Sequence, residues 1–82
     1  MSGDQAIRNL IEYIAKQLVD DPHQVHVDEV DRGDHVFIKL SVAEEDLGKI
    51  IGKQGRTVKA MRALLSAIST EYGRRVTLEI VE

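Results

Sequence analysis

Apolar residues recur along the chain in two rhythms. Ile7, Leu10, Ile11, Ile14 and Leu18 return at steps of three and four, which predicts an amphipathic helix over residues 4 to 19. Asp20-Asp21-Pro22 ends it, because proline disfavours helical geometry at the residue before it. In "HVFIKLSV" the rhythm changes to two: Val36, Ile38, Leu40 and Val42 alternate with His35, Phe37, Lys39 and Ser41, a half-buried strand. "QVHVDEV" alternates less cleanly, with Val25 and Val27 on one face and Val30 on the other, which suggests a bulge or an edge strand. Asp31-Arg32-Gly33-Asp34 between the two segments has turn chemistry and predicts an antiparallel hairpin.

A short helix at about 44 to 51 follows, with Glu44, Glu45 and Asp46 in its first turn, where the helix dipole favours negative charge. Leu47, Ile50 and Ile51 give it an apolar side. Beyond Gly52–Gly55 a longer helix runs to about Tyr72, marked by Val58, Met61, Leu65 and Ile68, with Gly73 as its stop signal. "RVTLEIV" closes the chain as a strand burying Val76, Leu78 and Ile80. The order is αββααβ, and no repeat appears. The simplest topology sets the last strand beside residues 35 to 42 and parallel to them, through a right-handed crossover made of both helices. The expected fold is a single α+β domain over residues 1–82, a three-stranded mixed sheet with the helices packed on one face.

At 82 residues the chain has one modest core, and a partner could add to it. Cysteine is absent, which removes disulfides and thiolate metal sites and fits a reducing compartment. "MSGDQAIRNL" carries no basic region followed by an apolar core, and no apolar run approaches a membrane span, so the cytoplasm is the expected location. The net charge of −3 is unevenly spread. Residues 1 to 46 hold eleven acids and four bases, whereas residues 47 to 82 hold seven bases and three acids. A local positive field can serve a polyanion on an acidic protein, because distant acids are screened beyond about 8 Å at physiological salt. Solvated helix faces would account for the same charges.

Candidate chemistry concentrates in "KIIGKQGRT", Lys49 to Thr57. Gly52 suits the left-handed end of the first helix, and the second helix begins near Gly55 with amides that lack partners inside it. A turn so tight and so free of side chains lets another backbone approach, and the free amides with the helix dipole favour an anion. Lys53 adds a mobile charge, extended by Arg56 and Lys59. A P-loop would need another spacing after a strand, and the dinucleotide fingerprint G-x-G-x-x-G is absent. A lone G-x-x-G also suits a plain helix–helix connector.

Set in the αββααβ order and within "DLGKIIGKQGRTVKAMRALL", the glycine pair resembles the bacterial type II KH domain, whose G-x-x-G loop clamps about four single-stranded nucleotides. "IAKQLVDDP", "EEDLGKIIGKQGRTVKAMRALL" and "RRVTLEIVE" resemble the small single-KH proteins of the KhpA family over nearly the whole chain. The resemblance implies binding of single-stranded RNA through Gly52, Lys53, Gln54 and Gly55. It also implies self-association, pairing with a larger KH-containing protein, and a link to cell elongation and division as a post-transcriptional regulator or RNA chaperone. The expected RNA-binding residues are these four with Lys49, Arg56 and Lys59, and with Leu47, Ile50 and Ile51 as the candidates beneath the bases, some of which must also be core. Ile51 suits core and groove floor equally. Gly48, inside the short helix, suits close packing somewhat better than room for a ligand.

With few aromatics and none near the loop in sequence, weak binding of little sequence preference is expected. The rival reading is a protein–protein module, with Ala60, Met61, Leu64 and Ala67 as its apolar face. Catalysis is the least supported class. Asp20-Asp21 and Glu44-Glu45-Asp46 are explained by helix ends, no Ser/His/Asp arrangement is visible, and no cofactor is implied. Strand alternation would set His23 and His26 on opposite faces if both lie in the strand, against a shared metal with His35.

Overall fold

The computed structural model describes residues 3–81; Met1, Ser2 and Glu82, included in the expected single domain, lie outside the described residues. Helix α1 (Gly3–Leu18) leads through a 3-10 turn (Pro22–Gln24) into strand β1 (His26–Asp31) and strand β2 (His35–Ser41). A 3-10 turn at Glu44–Asp46 opens the short helix α2 (Leu47–Ile51). A further turn at Lys53–Gly55 joins it to α3 (Arg56–Tyr72), and strand β3 (Arg75–Val81) follows. The order αββααβ and the α+β class are those the sequence predicts.

The sheet runs β1-β2-β3, with β1 antiparallel and β3 parallel to β2. Its continuous register from His26 opposite Ser41 to Asp31 opposite Val36 leaves no bulge. The weak alternation of β1 therefore has the other explanation: it is an edge strand. Val30 lies opposite Phe37 on the sheet face that carries no buried residue. The other face carries Val27, Val36, Ile38, Leu40, Val76 and Leu78, all buried in one core with residues of the three helices.

Within α1 the buried stripe is Ile7, Ile11 and Ala15, continued by Val19, while Leu10 stands exposed. A step of four selects the small Ala15, which a search for large apolar residues passes over. Gly33 closes the hairpin at φ +84°, and its amide donates to the Asp31 carboxylate at 2.8 Å. Arg74 reaches across from the end of α3, donating through Nε to the Gly33 carbonyl at 2.7 Å and pairing with Asp31. Gly73, left-handed at φ +74°, ends α3 with its amide on the Ser69 carbonyl.

Asp46 stands at the start of α2, as expected, and is also buried, 1% exposed. Two expectations need correction. Gly48 does not permit close packing, since a Cβ built there would meet nothing within 4 Å. His23 sits in the 3-10 turn rather than the strand, so the alternation argument does not reach it. His26 and His35 share the open face but lie at its opposite ends, and His35 bonds Thr77 Oγ1 at 2.7 Å. Among the described residues no cluster of His, Asp and Glu has a metal-binding arrangement.

Candidate functional site

The Gly52–Gly55 turn is built from backbone conformations that side chains resist. Gly52 sits at φ 79°, ψ 168°, a region almost confined to glycine, and its amide ends α2 on the Gly48 carbonyl at 2.8 Å. Gln54 (φ 59°) and Gly55 (φ 74°) are both left-handed. Side-chain volume excludes anything but glycine at position 52, where a Cβ would fall 2.2 Å from Thr57 Oγ1 and 2.8 Å from the Thr57 backbone nitrogen. At position 55 the nearest atom would be Lys59 Cε at 4.0 Å. One glycine is thus required by space and the other only by conformation.

Two of the amides at the start of the second helix are already bonded within the turn. Gly55 donates to the Gly52 carbonyl at 3.0 Å, and the Arg56 amide donates to Lys53. The Lys53 and Gln54 amides have no backbone acceptor among the described residues. The Lys53 and Gln54 amides, at the tip of the turn, are thus donors open to an acceptor from outside.

Lys53, Arg56, Lys59 and Arg62 are exposed and form no ion pair among the described residues. Arg56, Lys59 and Arg62 recur every three residues along α3. Gln54 accepts from Arg56 Nη2 at 3.3 Å, leaving the arginine's other donors outward. Lys49, expected in the same group, is directed elsewhere: its ammonium pairs with Asp20 and, at 3.3 Å, with Asp46. The Asp20 hydrogen bond raises the lysine pKa above its ordinary 10.5, more than its partial burial lowers it. Burial alone would raise the Asp46 pKa. Hydrogen bonds from the Asp21 and Asp20 amides and from Lys49 outweigh it and hold the carboxyl below its usual 3.8. Asp46 accepts the Asp21 amide at 3.0 Å, so this carboxylate ties the segment after α1 to the start of α2.

Beside the turn, Ile51, Val58, Arg62 and Ile80 line a groove of about 310 Å³ between the helices and β3. Ile51 is 37% exposed, whereas the adjacent Ile50 is fully buried in the core. Consecutive helical residues point about 100° apart, which separates the two isoleucines into core and groove. Leu47 lies apart from Ile51, in a second depression with Ser41, Val42, Glu44 and Val81. The sequence pattern places Val58 and Ile80 in the core, where Val58 is buried and Ile80 packs against it, but does not bring them or Arg62 to the groove; only the packing of β3 beside α3 sets them near Ile51.

The family model for the KhpA/KhpB KH domain matches residues 8–80. The chain belongs to the KhpA/KhpB KH-domain family. This is a family of KH domains and not a class of enzymes. The curated "RNA-binding protein KhpA" of Halalkalibacterium halodurans is 49% identical over 76 residues, covering 93% of this chain and all of that one. Its namesake from Chlamydia caviae is 48% identical over 93% of this chain and 97% of the relative. That from Aquifex aeolicus is 46% identical over 94% and 98%. Among solved structures, Aquifex aeolicus Era bound to GDP.AlF4- superposes with a TM-score of 0.62 at 23% identity, over 98% of this chain but 31% of Era. That likeness extends the KhpA fold to part of a larger protein and concerns the fold alone. No helix among the described residues is long and apolar enough to cross a membrane.

Proposed function

We propose that this KH domain binds a short stretch of single-stranded RNA, its phosphates crossing Gly52–Gly55 and its bases lying over Ile51, Val58 and Ile80. The observation that carries the reading is a turn whose Lys53 and Gln54 amides lack backbone acceptors, set directly beside an apolar groove. Phosphate oxygens accept from those amides, and Lys53, Arg56 and Lys59 supply charge without a competing carboxylate. Leu47 offers a second, separate apolar surface, while Lys49 contributes by fixing α2 to Asp46 and Asp20 rather than by meeting phosphate. Relatives named RNA-binding protein KhpA, nearly half identical over almost the whole chain, support the same ligand. Family membership also supports self-association or pairing with a larger KH protein. It supports a cytoplasmic role after transcription, linked to cell elongation and division.

Replacing Lys53 and Gln54 together by Asp tests the clamp. Both are exposed, so the thermal transition should remain, while binding of a short single-stranded RNA should be lost. For roughly two to four phosphate contacts, log K of the wild type should fall with log salt at about 0.7 per contact. A slope near zero, or binding that survives the double substitution, refutes the loop as the site.

A second reading has one observation in its favour. Ala60, Leu64 and Ala67 form an exposed apolar stripe on α3, with Leu64 40% exposed; Met61, expected beside them, is buried in the core instead. Such a stripe suits a partner helix. Light scattering with and without RNA separates the readings, since a dimer that binds no RNA at low salt would favour the protein–protein module.

A further inference from the structure

Arg62 is the one groove-lining residue with a polar side chain: Ile51, Val58 and Ile80 supply only carbon. It also borders a neighbouring depression formed with Leu65, Val76, Thr77 and Leu78, so its side chain lies along the outer edge of β3. Its Nη2 donates to the Leu78 carbonyl at 3.4 Å, a long contact that fixes the direction of the guanidinium at little cost to its other donors. The Val76 amide, two residues earlier on that edge, is already occupied by Ser69 Oγ at 2.9 Å. Arg62 also stands about 9 Å along α3 from Arg56, six residues at the helical rise, and hence away from the turn that would hold phosphate.

We infer that Arg62 selects the base in the groove, favouring a base edge with two adjacent hydrogen-bond acceptors; this rests on the RNA reading above. A guanidinium has donors and no acceptor. Cytosine offers it N3 beside O2, and guanine offers O6 beside N7. Adenine and uracil place a donor next to each acceptor on the corresponding edges and leave one fork of the arginine opposed by a hydrogen. Against an apolar floor that mismatch matters, because a donor facing an unsuitable group loses its water without replacement. An arginine serving only as counter-charge for phosphate would discriminate among no bases.

The test compares RNA heptamers of uridine with heptamers carrying a single central cytidine, guanosine or adenosine, for the wild type, Arg62→Lys and Arg62→Met. Wild type should bind the cytidine and guanosine heptamers about tenfold more tightly than the other two, the scale of one bidentate base contact. Arg62→Lys keeps the charge and loses the planar fork, so the ratio should fall towards one while the salt slope holds. Equal wild-type affinities, or a ratio that persists in Arg62→Lys, would overturn the inference. So would a uniform loss across all heptamers in Arg62→Met with the slope reduced by about 0.7, which marks a phosphate contact. Should the Lys53/Gln54 double Asp variant bind as well as the wild type with its preference intact, the loop reading fails and the role of Arg62 stands. A wild type that binds no heptamer removes both.

Discussion

The two glycines of the turn should respond very differently to alanine. At Gly52 an added Cβ would lie 2.7 Å from Thr57 Cβ and 2.8 Å from the Thr57 backbone nitrogen, so rotating the threonine relieves only the 2.2 Å contact with its hydroxyl. Residual overpacking costs about 1–3 kcal/mol. Backbone strain at φ 79°, ψ 168° adds about 1–3 kcal/mol. The reduced freedom of the unfolded chain returns about 0.4–1 kcal/mol. The net loss is about 3 kcal/mol, from a total stability of roughly 4–12 kcal/mol for a chain of this length. Gly55→Ala meets open space, 4.0 Å from Lys59 Cε, and bears only left-handed strain of about 1–2 kcal/mol, partly offset in the same way.

Thermal unfolding followed by far-UV circular dichroism reads the difference. At about 4–8 °C per kcal/mol for a domain this small, Gly52→Ala should melt at least about 12 °C below the wild type and Gly55→Ala about 4 °C below. Equal losses would refute the division of roles. A larger loss at position 55 would show that conformation, not space, governs the turn.

Two further outcomes follow from the neighbouring helix. Ile50→Ala should cost about 2–5 kcal/mol in urea unfolding, as a fully buried side chain, while Ile51→Ala should spare stability and weaken RNA binding; similar costs would refute their separation into core and groove. The Asp46 carboxyl is held below 3.8, so its stabilisation is complete above that pH and is lost as the pH falls from 3.8 through its lower folded value. Asp46→Asn should therefore unfold at lower urea concentration at neutral pH and show a shallower loss of stability in acid; an unchanged acid slope would refute the assignment.

The elements were legible because each carries a clear rhythm: steps of two in β2 and β3, steps of three and four in α1 and α3. The stray Val30 signals either a bulge or an edge position for β1, and only the continuous register with β2 decides for the edge. What the sequence could not reveal depends on contacts between distant segments. Asp46 resembles any acidic helix start until the segment after α1 folds against it, 25 residues away in sequence. Lys49 belongs to a basic stretch by position, yet Asp20 and Asp46 claim it through the same packing. The groove unites Ile51, Val58, Arg62 and Ile80 from three elements, and no local spacing encodes that meeting.

The same contacts explain how a chain of net charge −3 can present a surface for a polyanion. Several of its acids are already committed to the fold. Asp20 and Asp46 hold Lys49, Asp31 holds Arg74 across the hairpin, and Glu12 holds Arg8 on α1 at 2.9 Å. The Asp31–Arg74 and Glu12–Arg8 pairs each remove one charge of either sign from the outward field, and Lys49 offsets one of the two charges on Asp20 and Asp46. Lys53, Arg56 and Lys59 are left beside the turn with no carboxylate bonded to them among the described residues. An approaching phosphate meets these at a few ångströms, whereas acids farther than a Debye length of about 8 Å act only weakly on it. Raising the ionic strength should consequently weaken RNA binding, despite the overall negative charge, since the counter-ions released come from the RNA and not from the protein.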